Sequence, residues 1–228
     1  MIYGIYQHQE SKKRIILIGA PGSGKGTQAQ FLSKKYCIPT ISTGNILRSY
    51  ANLDNEVDVI DIANCMSRGT LVNDEIVINL VIKRLSDKDC CHGFLLDGFP
   101  RTLSQAKALK QAKINLDFIV ELVVPDEILV ERILGRRIHL SSGRIYHTKF
   151  YPPKIDGKDD ITGDNLYHRL DDHENIIRKR LKEYHKQMIP LIYFYKKEAQ
   201  MGRIHYLKID ASDESSVVNI GLTNLLLI

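Results

Sequence analysis

Residues 13–27 read Lys13-Arg14-Ile15-Ile16-Leu17-Ile18-Gly19-Ala20-Pro21-Gly22-Ser23-Gly24-Lys25-Gly26-Thr27, an apolar run that ends in closely spaced glycines around a lysine. The pattern predicts a strand, a phosphate-binding loop and the start of a helix. Glycines let the backbone curl so that several N–H groups point into one concavity, and the helix N-terminus adds about half a positive charge. From that position Lys25 can reach the β- and γ-phosphates of a nucleoside triphosphate.

The position of the hydroxyl after the lysine distinguishes this loop from the commonest pattern. Gly26 follows Lys25, and the hydroxyl comes one residue later, at Thr27. Residues 24–29 also fit the dinucleotide-binding pattern G-x-G-x-x-A, which requires an acidic residue after the second strand. The sequence there is Ile38-Pro39-Thr40-Ile41-Ser42 and contains no acid, so we prefer the phosphate loop.

The composition is that of an ordinary globular enzyme. The chain has 228 residues, 43% of them hydrophobic and 26% charged, and a formal net charge of +5. Its basic residues are not clustered among aromatic ones, so we expect no nucleic-acid partner. No apolar run approaches the ~20 residues of a membrane span, so we expect no membrane partner.

The cysteines and the N-terminal residues bear on the compartment. Cys37, Cys65, Cys90 and Cys91 lack the C-x-x-C spacing of redox and zinc motifs, and we interpret them as reduced thiols. Residues 1–11 lack the apolar core of a signal peptide, and we expect them to form a flexible N-terminal extension. These features predict a cytoplasmic protein.

Strand-like and helix-like segments alternate along the chain. Short apolar runs occur at 93–96, 118–124 and 204–209, and helical patterns occur at 75–85, 103–111 and 127–134. This alternation predicts an α/β fold with a parallel sheet covered by helices on both faces, and ligands then bind at the carboxyl ends of the strands. Two segments interrupt the pattern, at 42–72 and 135–172. The second contains turn signals without helical period, which is typical of a binding loop or a lid.

Asp97 ends one of the predicted strands, Phe94-Leu95-Leu96-Asp97. A carboxylate at the ligand-binding edge can hold Mg²⁺ through water, because this cation prefers one or two carboxylates together with phosphate oxygens. Alternatively, the side chain caps the next turn. Beside a phosphate loop we prefer the metal.

Three motifs together resemble the adenylate kinase family, in its form with a long lid. They are the phosphate loop, Ile41-Ser42-Thr43-Gly44-Asn45-Ile46-Leu47-Arg48 and Gly93-Phe94-Leu95-Leu96-Asp97-Gly98-Phe99-Pro100-Arg101-Thr102, and the similarity runs from about residue 14 to residue 210. The resemblance implies a P-loop nucleoside triphosphate hydrolase-like fold of three layers around a central parallel five-stranded sheet. It further implies a core of residues 12–41, 73–134 and 173–228, an AMP-binding segment at 42–72 and a lid at 135–172.

The resemblance also implies an activity, the reversible, Mg²⁺-dependent transfer of a phosphoryl group from ATP to AMP to give two ADP, by a monomeric enzyme. By matching position, the ATP-binding residues would be Gly22, Ser23, Gly24, Lys25, Gly26, Thr27, Arg132, Arg136, Ile145 and Tyr146. The AMP-binding residues would be Thr43, Arg48, Thr70, Leu71, Val72, Gly98, Phe99, Pro100, Arg101, Gln105, Arg169 and Arg180. The catalytic residues would be Lys25, Arg101, Arg136, Arg169 and Arg180.

The large number of arginines in this set suits phosphoryl transfer between two nucleotides. The phosphate of AMP is already an anionic nucleophile, so the enzyme has only to align two polyanions and neutralise their charge. Arg132 and Arg180 follow apolar residues at helical spacing, which would turn both side chains inward. An inward arginine is costly unless it is paired, and the alternative is that it snorkels at the edge of the core.

The lid raises the question of zinc, since some relatives carry four metal-binding cysteines there. This chain has His139, Ser142, Asp159 and Thr162 at the corresponding positions. Hydroxyls are poor Zn²⁺ ligands, so we expect a hydrogen-bonded cluster and no structural zinc. At the end of the lid, residues 171–172 are both Asp and would cap the next helix or pair with lid arginines.

Substrate specificity remains open at this point. Thr43 and Gln105 favour adenine in the family, but a nucleoside monophosphate kinase of another specificity, GTP:AMP or UMP/CMP, is an alternative. Asn45 stands where the family usually has Asp, beside Arg48, so we expect altered AMP affinity more than lost activity. A nucleotide-dependent switch is a further alternative, although the guanine-reading pattern N-K-x-D is absent.

Overall fold

The structure, a computed structural model, describes residues 13–51, 62, 64, 65, 68 and 70–227. The predicted extension at 1–11 lies outside the described residues, as does part of the segment at 42–72. In chain order the elements are β1 (Lys13–Gly19), α1 (Lys25–Tyr36), β2 (Thr40–Ser42), α2 (Thr43–Ala51), α3 (Asp74–Leu85), a 3₁₀ helix (Lys88–His92), β3 (Gly93–Asp97), α4 (Leu103–Gln111), β4 (Phe118–Val123), α5 (Asp126–Leu134), β5 (Arg136–Ile138), β6 (Ile145–His147), α6 (Glu174–Gln200), β7 (His205–Asp210) and α7 (Ser215–Leu225).

The predicted parallel sheet is present and has five strands in the order β2-β3-β1-β4-β7. Its strands read as nearly continuous apolar runs because helices cover both faces. On one face, Ile15 and Leu17 pack against α1, α5 and α7, and on the other, Ile16 and Ile18 pack against α2, α3 and α4. The long helix α6 contributes to both clusters. These layers confirm the predicted α/β architecture.

The segment at 135–172 departs from the helical core. It contains β5 and β6, which pair antiparallel, with Arg137 opposite Tyr146. An isolated bridge from Ile138 to Tyr167 ties the end of the segment back to β5. The sequence did not indicate these short strands, because three residues are too few to show an alternating pattern.

Two further observations concern the cysteines and the length of the helices. All four cysteines are free, and Cys37 and Cys91 are exposed. Among the helices that the structure describes, none has the length and apolar character needed to cross a bilayer.

Candidate functional site

The carboxyl ends of three strands meet at one edge of the sheet. Asp97 at the end of β3 pairs in register with Leu17 of β1 and with Ser42 of β2. The segments that follow these strands therefore start side by side and line a cavity. Its walls are Leu17, Ile18, Gly19, Pro21, Lys25, Gly44, Leu47, Arg48, Thr70, Leu71, Val72, Gly98, Pro100, Arg101, Asp171, Arg180, Glu183, Tyr184, Gln187 and Met188.

The loop between β1 and α1 has a backbone that requires glycine. Gly22 and Gly24 have φ angles of 83° and 89°, in the left-handed region that L side chains avoid. A side-chain carbon at Gly22 would also lie 2.8 Å from Ile133 Cγ1. Ser23 is buried in the same loop, and its Oγ has no hydrogen-bond partner among the described residues. The loop thus has the tight turn that a phosphate cradle needs.

Lys25 begins α1 and turns back over this loop. Its Nζ donates to the carbonyl oxygens of Gly19 and Ala20, at 2.7 Å and 2.8 Å. Burial lowers the pKa of Lys25 to about 8, against the attraction of Asp97, and Arg101 and other nearby arginines lower it further. The lysine is therefore held where several positive charges repel one another.

Five arginines from separate parts of the chain lie close enough to Lys25 or to one another to shift a pKa within the group. They are Arg48 of α2, Arg101 after β3, Arg136 of β5, Arg169 at the end of the lid segment and Arg180 of α6. Burial is the main cause that lowers the pKa of Arg169 to about 10, and repulsion by Arg136 and Arg48 adds to it. Burial likewise lowers the pKa values of Arg48 and Arg101, and Arg180 contributes to both shifts. The structure thus brings together six of the predicted cations.

Two carboxylates pair with two arginines of this cluster. Arg136 donates from Nε and Nη2 to the two oxygens of Asp172, at 2.8 Å and 2.5 Å, and the Asp172 side chain is fully buried. Arg180 donates to Asp171 Oδ2 at 2.6 Å. Helix α6 starts after His173, and neither carboxylate caps it. The two carboxylates were expected either to cap the next helix or to pair with arginines. Their contacts are those of the second expectation.

Arg132 has a different location. It donates to the carbonyl oxygens of Ala211 and Ser212, at 2.7 Å each, and so ties α5 to the loop after β7. Its side chain is not among those that line the cavity. The helical spacing correctly indicated an inward arginine with partners, but these partners are backbone carbonyls from a distant part of the chain.

The other two predicted ATP-binding residues lie on β6. A side-chain carbon added at Gly26 would come within 4.0 Å of Ile145 Cδ1, which places this isoleucine near the phosphate loop. Tyr146 is buried, and its hydroxyl donates to Asp159 Oδ1 at 2.9 Å. The structure therefore brings Ile145 towards the loop and turns the Tyr146 hydroxyl into the lid segment.

Most of the residues predicted for AMP line the same cavity as the loop. Gly98 O accepts hydrogen bonds from Thr43 Oγ1 at 2.9 Å and from Arg101 Nε at 2.7 Å. Arg48 donates to Asn45 Oδ1 at 2.7 Å, so the unusual asparagine contacts an arginine of the cluster. Phe99 and Gln105 are nearly fully buried and are not among the lining residues, but Gln105 holds the backbone of Arg101, which lines the cavity.

Helix α6 supplies cavity residues that the sequence did not indicate. Glu183, Tyr184, Gln187 and Met188 line the cavity together with Arg180. They follow Arg180 at helical spacing and so lie on its face of the helix. Extending the inward face of Arg180 along this helix would have found them.

The four predicted lid residues lie in one hydrogen-bonded cluster. His139 Nδ1 is 2.7 Å from Ser142 Oγ and its Nε2 is 3.3 Å from Thr162 Oγ1, and Thr162 donates to Asp159 Oδ2 at 3.0 Å. The sequence did not indicate Arg144, which forks onto Asp159 at 2.8 Å and 2.6 Å and holds the pKa of that carboxyl well below its usual range. Within the described ranges no group of three or more His, Cys, Asp or Glu side chains could hold a metal ion.

Asp97 has the position and chemistry that a hydrated Mg²⁺ requires. Its Oδ2 would lie 3.9 Å from a side-chain carbon added at Gly26, so the carboxylate faces the phosphate loop. A single carboxylate next to bound phosphates is the ligand set that Mg²⁺ usually takes, with water completing the octahedron. The donor set therefore fits a magnesium ion bound through water.

Comparison with known proteins places this arrangement in a family. The family model for adenylate kinase matches residues 17–200. The chain is also 54% identical, over 213 residues, to a protein named adenylate kinase from Photorhabdus laumondii subsp. laumondii; the match covers 93% of this chain and 99% of that protein. The glycine loop, the cavity beside it and the group of six cations agree with these matches. The chain belongs to the adenylate kinase family and is a nucleoside monophosphate kinase, a phosphotransferase.

Proposed function

We propose that the cavity holds AMP against ATP bound on the phosphate loop, and that the terminal phosphoryl group of ATP passes to AMP to give two ADP. The observation that carries the proposal is the convergence of Lys25 with five arginines from separate elements. Mutual repulsion makes this arrangement unfavourable unless anions lie between the cations. Two nucleotides joined through a transferring phosphoryl group supply that charge.

The proposal divides the work among the cluster residues. Lys25 contacts the β- and γ-phosphates of ATP, and Arg101, Arg136, Arg169 and Arg180 contact the transferring group and its two neighbouring phosphates. Guanidinium forks hold phosphate oxygens in pairs, which fixes the direction of in-line attack. Because the attacking oxygen is already anionic, no residue has to act as a general base.

The acceptor and the donor also need the fifth arginine of the cluster, Arg48, and groups outside it. Arg48 binds the phosphate of AMP, Thr43 and Gln105 contact its base, and residues 70–72 and 98–101 contribute backbone. Arg132, Ile145 and Tyr146 belong to the donor side, where Arg132 stacks on the ATP base.

Asp97 is proposed to hold Mg²⁺ through water, with Thr27 nearby on the loop. When bound, the ion neutralises charge on the β- and γ-phosphates. The lid at 135–172 shields the phosphates from water, which is the competing acceptor. We further propose a monomer without structural zinc that acts in the cytoplasm, in keeping with its free thiols.

A coupled assay of ADP formation across donors and acceptors tests the function. We expect ATP with AMP to give the highest kcat/KM, and removal of Mg²⁺ by a chelator to abolish turnover. Higher kcat/KM for UMP or CMP, or for GTP as donor, would favour a kinase of other specificity. Nucleotide binding without ADP formation would favour a switch.

A further inference from the structure

The side-chain amide of Gln105 is held at both ends. Its Oε1 accepts a hydrogen bond from the Arg101 backbone N–H at 2.7 Å, and its Nε2 donates to Asp74 Oδ1 at 2.6 Å. A backbone N–H can only donate, and an ionised carboxylate can only accept. The amide can therefore point in only one direction, because turning it over would set donor against donor and acceptor against acceptor.

Both oxygens of the Asp74 carboxylate accept hydrogen bonds, and the second bond holds Asp74 in place for its contact with Gln105. Its Oδ2 accepts from Thr102 Oγ1 at 2.7 Å, and Thr102 in turn caps α4 by accepting from the Gln105 N–H at 3.2 Å. Asp74 is the first residue of α3, but Asn73 caps that helix, through the Glu75 N–H at 2.8 Å. The Asp74 carboxylate thus serves α4 and Gln105 rather than its own helix.

A fixed amide discriminates between purines. After these two contacts the Gln105 amide retains one N–H and one lone pair of its carbonyl oxygen. Adenine presents a donor at N6 beside an acceptor at N1, which matches that pair. Hypoxanthine presents an acceptor at O6 beside a donor at N1, which would match only the reversed amide. A site built to pair with one pattern rejects the other, since its polar groups would then stay unpaired.

We propose that Asp74 is a positioning residue that fixes the direction of the Gln105 amide and thereby makes the acceptor site select adenine over hypoxanthine. Asp74 contacts the Gln105 amide, and the same amide holds the backbone of the cavity residue Arg101, so Asp74 acts through Gln105. The inference rests on the proposed function, in which Gln105 contacts the base of AMP.

The test compares AMP and IMP as acceptors, with ATP as donor, for the wild-type protein and Asp74→Leu, because leucine has nearly the shape of aspartate but no acceptor for the Gln105 N–H, which an asparagine oxygen would keep. We expect the ratio of kcat/KM for AMP to that for IMP to fall by about tenfold in the variant, as for loss of a bidentate base contact, and the change to lie mainly in KM. A merely structural loss of active protein cancels in this ratio. Glu75→Gln is the matched control, because it removes an equal charge from the same helical turn at an exposed position, and its ratio should not change.

A second pair of variants tests whether Asp74 acts through Gln105. In a Gln105→Leu background the direction of the amide no longer exists, so Asp74→Leu should leave the AMP to IMP ratio unchanged. A wild-type ratio in Asp74→Leu, or the same drop in the Gln105→Leu background, would overturn the inference. Failure of the wild-type protein to phosphorylate AMP would instead overturn the proposed function, and this inference with it.

Discussion

Lys25 shows how a single residue can be poised for an anion. Its ammonium group donates hydrogen bonds to two carbonyl oxygens of its own loop. Burial and neighbouring arginines lower its pKa to about 8. A bound triphosphate would replace weak acceptors by strong ones and offset the repulsion. Donor binding and phosphoryl transfer should therefore both depend on this residue.

Replacing Lys25 by Met should lower kcat by at least ~10²-fold, because one charge contact to the transferring group is lost. Steady-state kinetics with ATP and AMP would measure this. Lys34→Met is the control, since Lys34 is an exposed lysine of the same helix and should leave kcat unchanged. Near-normal turnover of Lys25→Met would contradict the assigned role.

The lowered pKa of Lys25 predicts that ATP binding takes up a proton in alkaline solution. The free lysine titrates near pH 8 and not near its ordinary value of 10.5, and negative phosphates favour its charged form. Uptake should be small at about pH 7 and approach one proton at about pH 9, and the Kd for ATP should rise above pH 8 by up to about tenfold per unit.

Titration calorimetry in buffers of different ionisation enthalpy would measure this uptake, above the range where the nucleotide's own phosphates titrate. The uptake should be absent from Lys25→Met. A Kd for ATP that stays constant up to about pH 10 would show that the lysine is already charged in the free protein.

Among the elements, the antiparallel strands β5 and β6 lie beside a hydrogen-bonded cluster that is centred on one buried carboxylate. Asp159 accepts hydrogen bonds from Arg144, the Tyr146 hydroxyl and the backbone N–H groups of Ile161 and Thr162. It joins the two turns of the lid that cysteines and zinc join in some relatives. A polar cluster of this kind is stable only while all its members are satisfied.

Replacing Asp159 by Ala should loosen the lid, because several donors lose their shared acceptor at once. We expect protease cleavage between residues 135 and 172 to speed up by about tenfold or more, since cleavage follows the population of opened chain. Asp156→Ala is the matched control, as Asp156 is an exposed carboxylate of the same segment. Equal cleavage of the two variants would argue against the cluster as the lid's main restraint.

The same cluster predicts the metal content of the protein. Metal analysis after purification should show no stoichiometric zinc, because two of the four cluster positions, Ser142 and Thr162, carry hydroxyls, which structural zinc sites do not use as ligands. Zinc at one equivalent per chain would overturn this prediction. Activity unaffected by a zinc-specific chelator would support it independently.

For the whole molecule, the main feature is that the core and α2 contribute cations to the lining of one cavity, and that Arg136 of β5 lies near enough to lower the pKa of Lys25 there. Arg48, Arg101, Arg136 and Arg180 come from four separate segments and lie close enough to shift one another's pKa or that of Lys25. The free protein carries this repulsion as a cost, and nucleotides remove it. Stability should therefore depend strongly on ligands that span both sites.

An inhibitor with two adenosines joined by a polyphosphate chain should raise the Tm by about 10 °C at thousandfold excess over its Kd, from about 4 kcal/mol of linkage at a few degrees per kcal/mol. Thermal scans at low and high salt would show a smaller shift at high salt, because salt screens the phosphate contacts. Adenosine alone is the control and should shift the Tm little. A shift that does not depend on the phosphate chain would contradict the proposed cluster.

Much of this molecule could be predicted from local sequence. The strand, loop and helix at 13–36 follow from an apolar run and glycines at set positions, and the parallel sheet follows from strands buried on both faces. Lys25 was indicated by its place in the glycine loop after β1, and Asp97 by its place at the end of a strand, where the fold itself brings ligands. Backbone chemistry acts over a few residues, so a sequence displays it directly.

What only the tertiary structure decided is which distant groups meet. Arg132 was indicated as an inward arginine, yet its partners are carbonyls near the end of the chain, and Arg144 and Asp74 gave no sign of their roles. Such contacts join residues tens of positions apart, and their geometry depends on how whole elements pack. The sequence thus determined the phosphate loop and the layers around it, whereas packing determined which side chains face that loop and which way the Gln105 amide points.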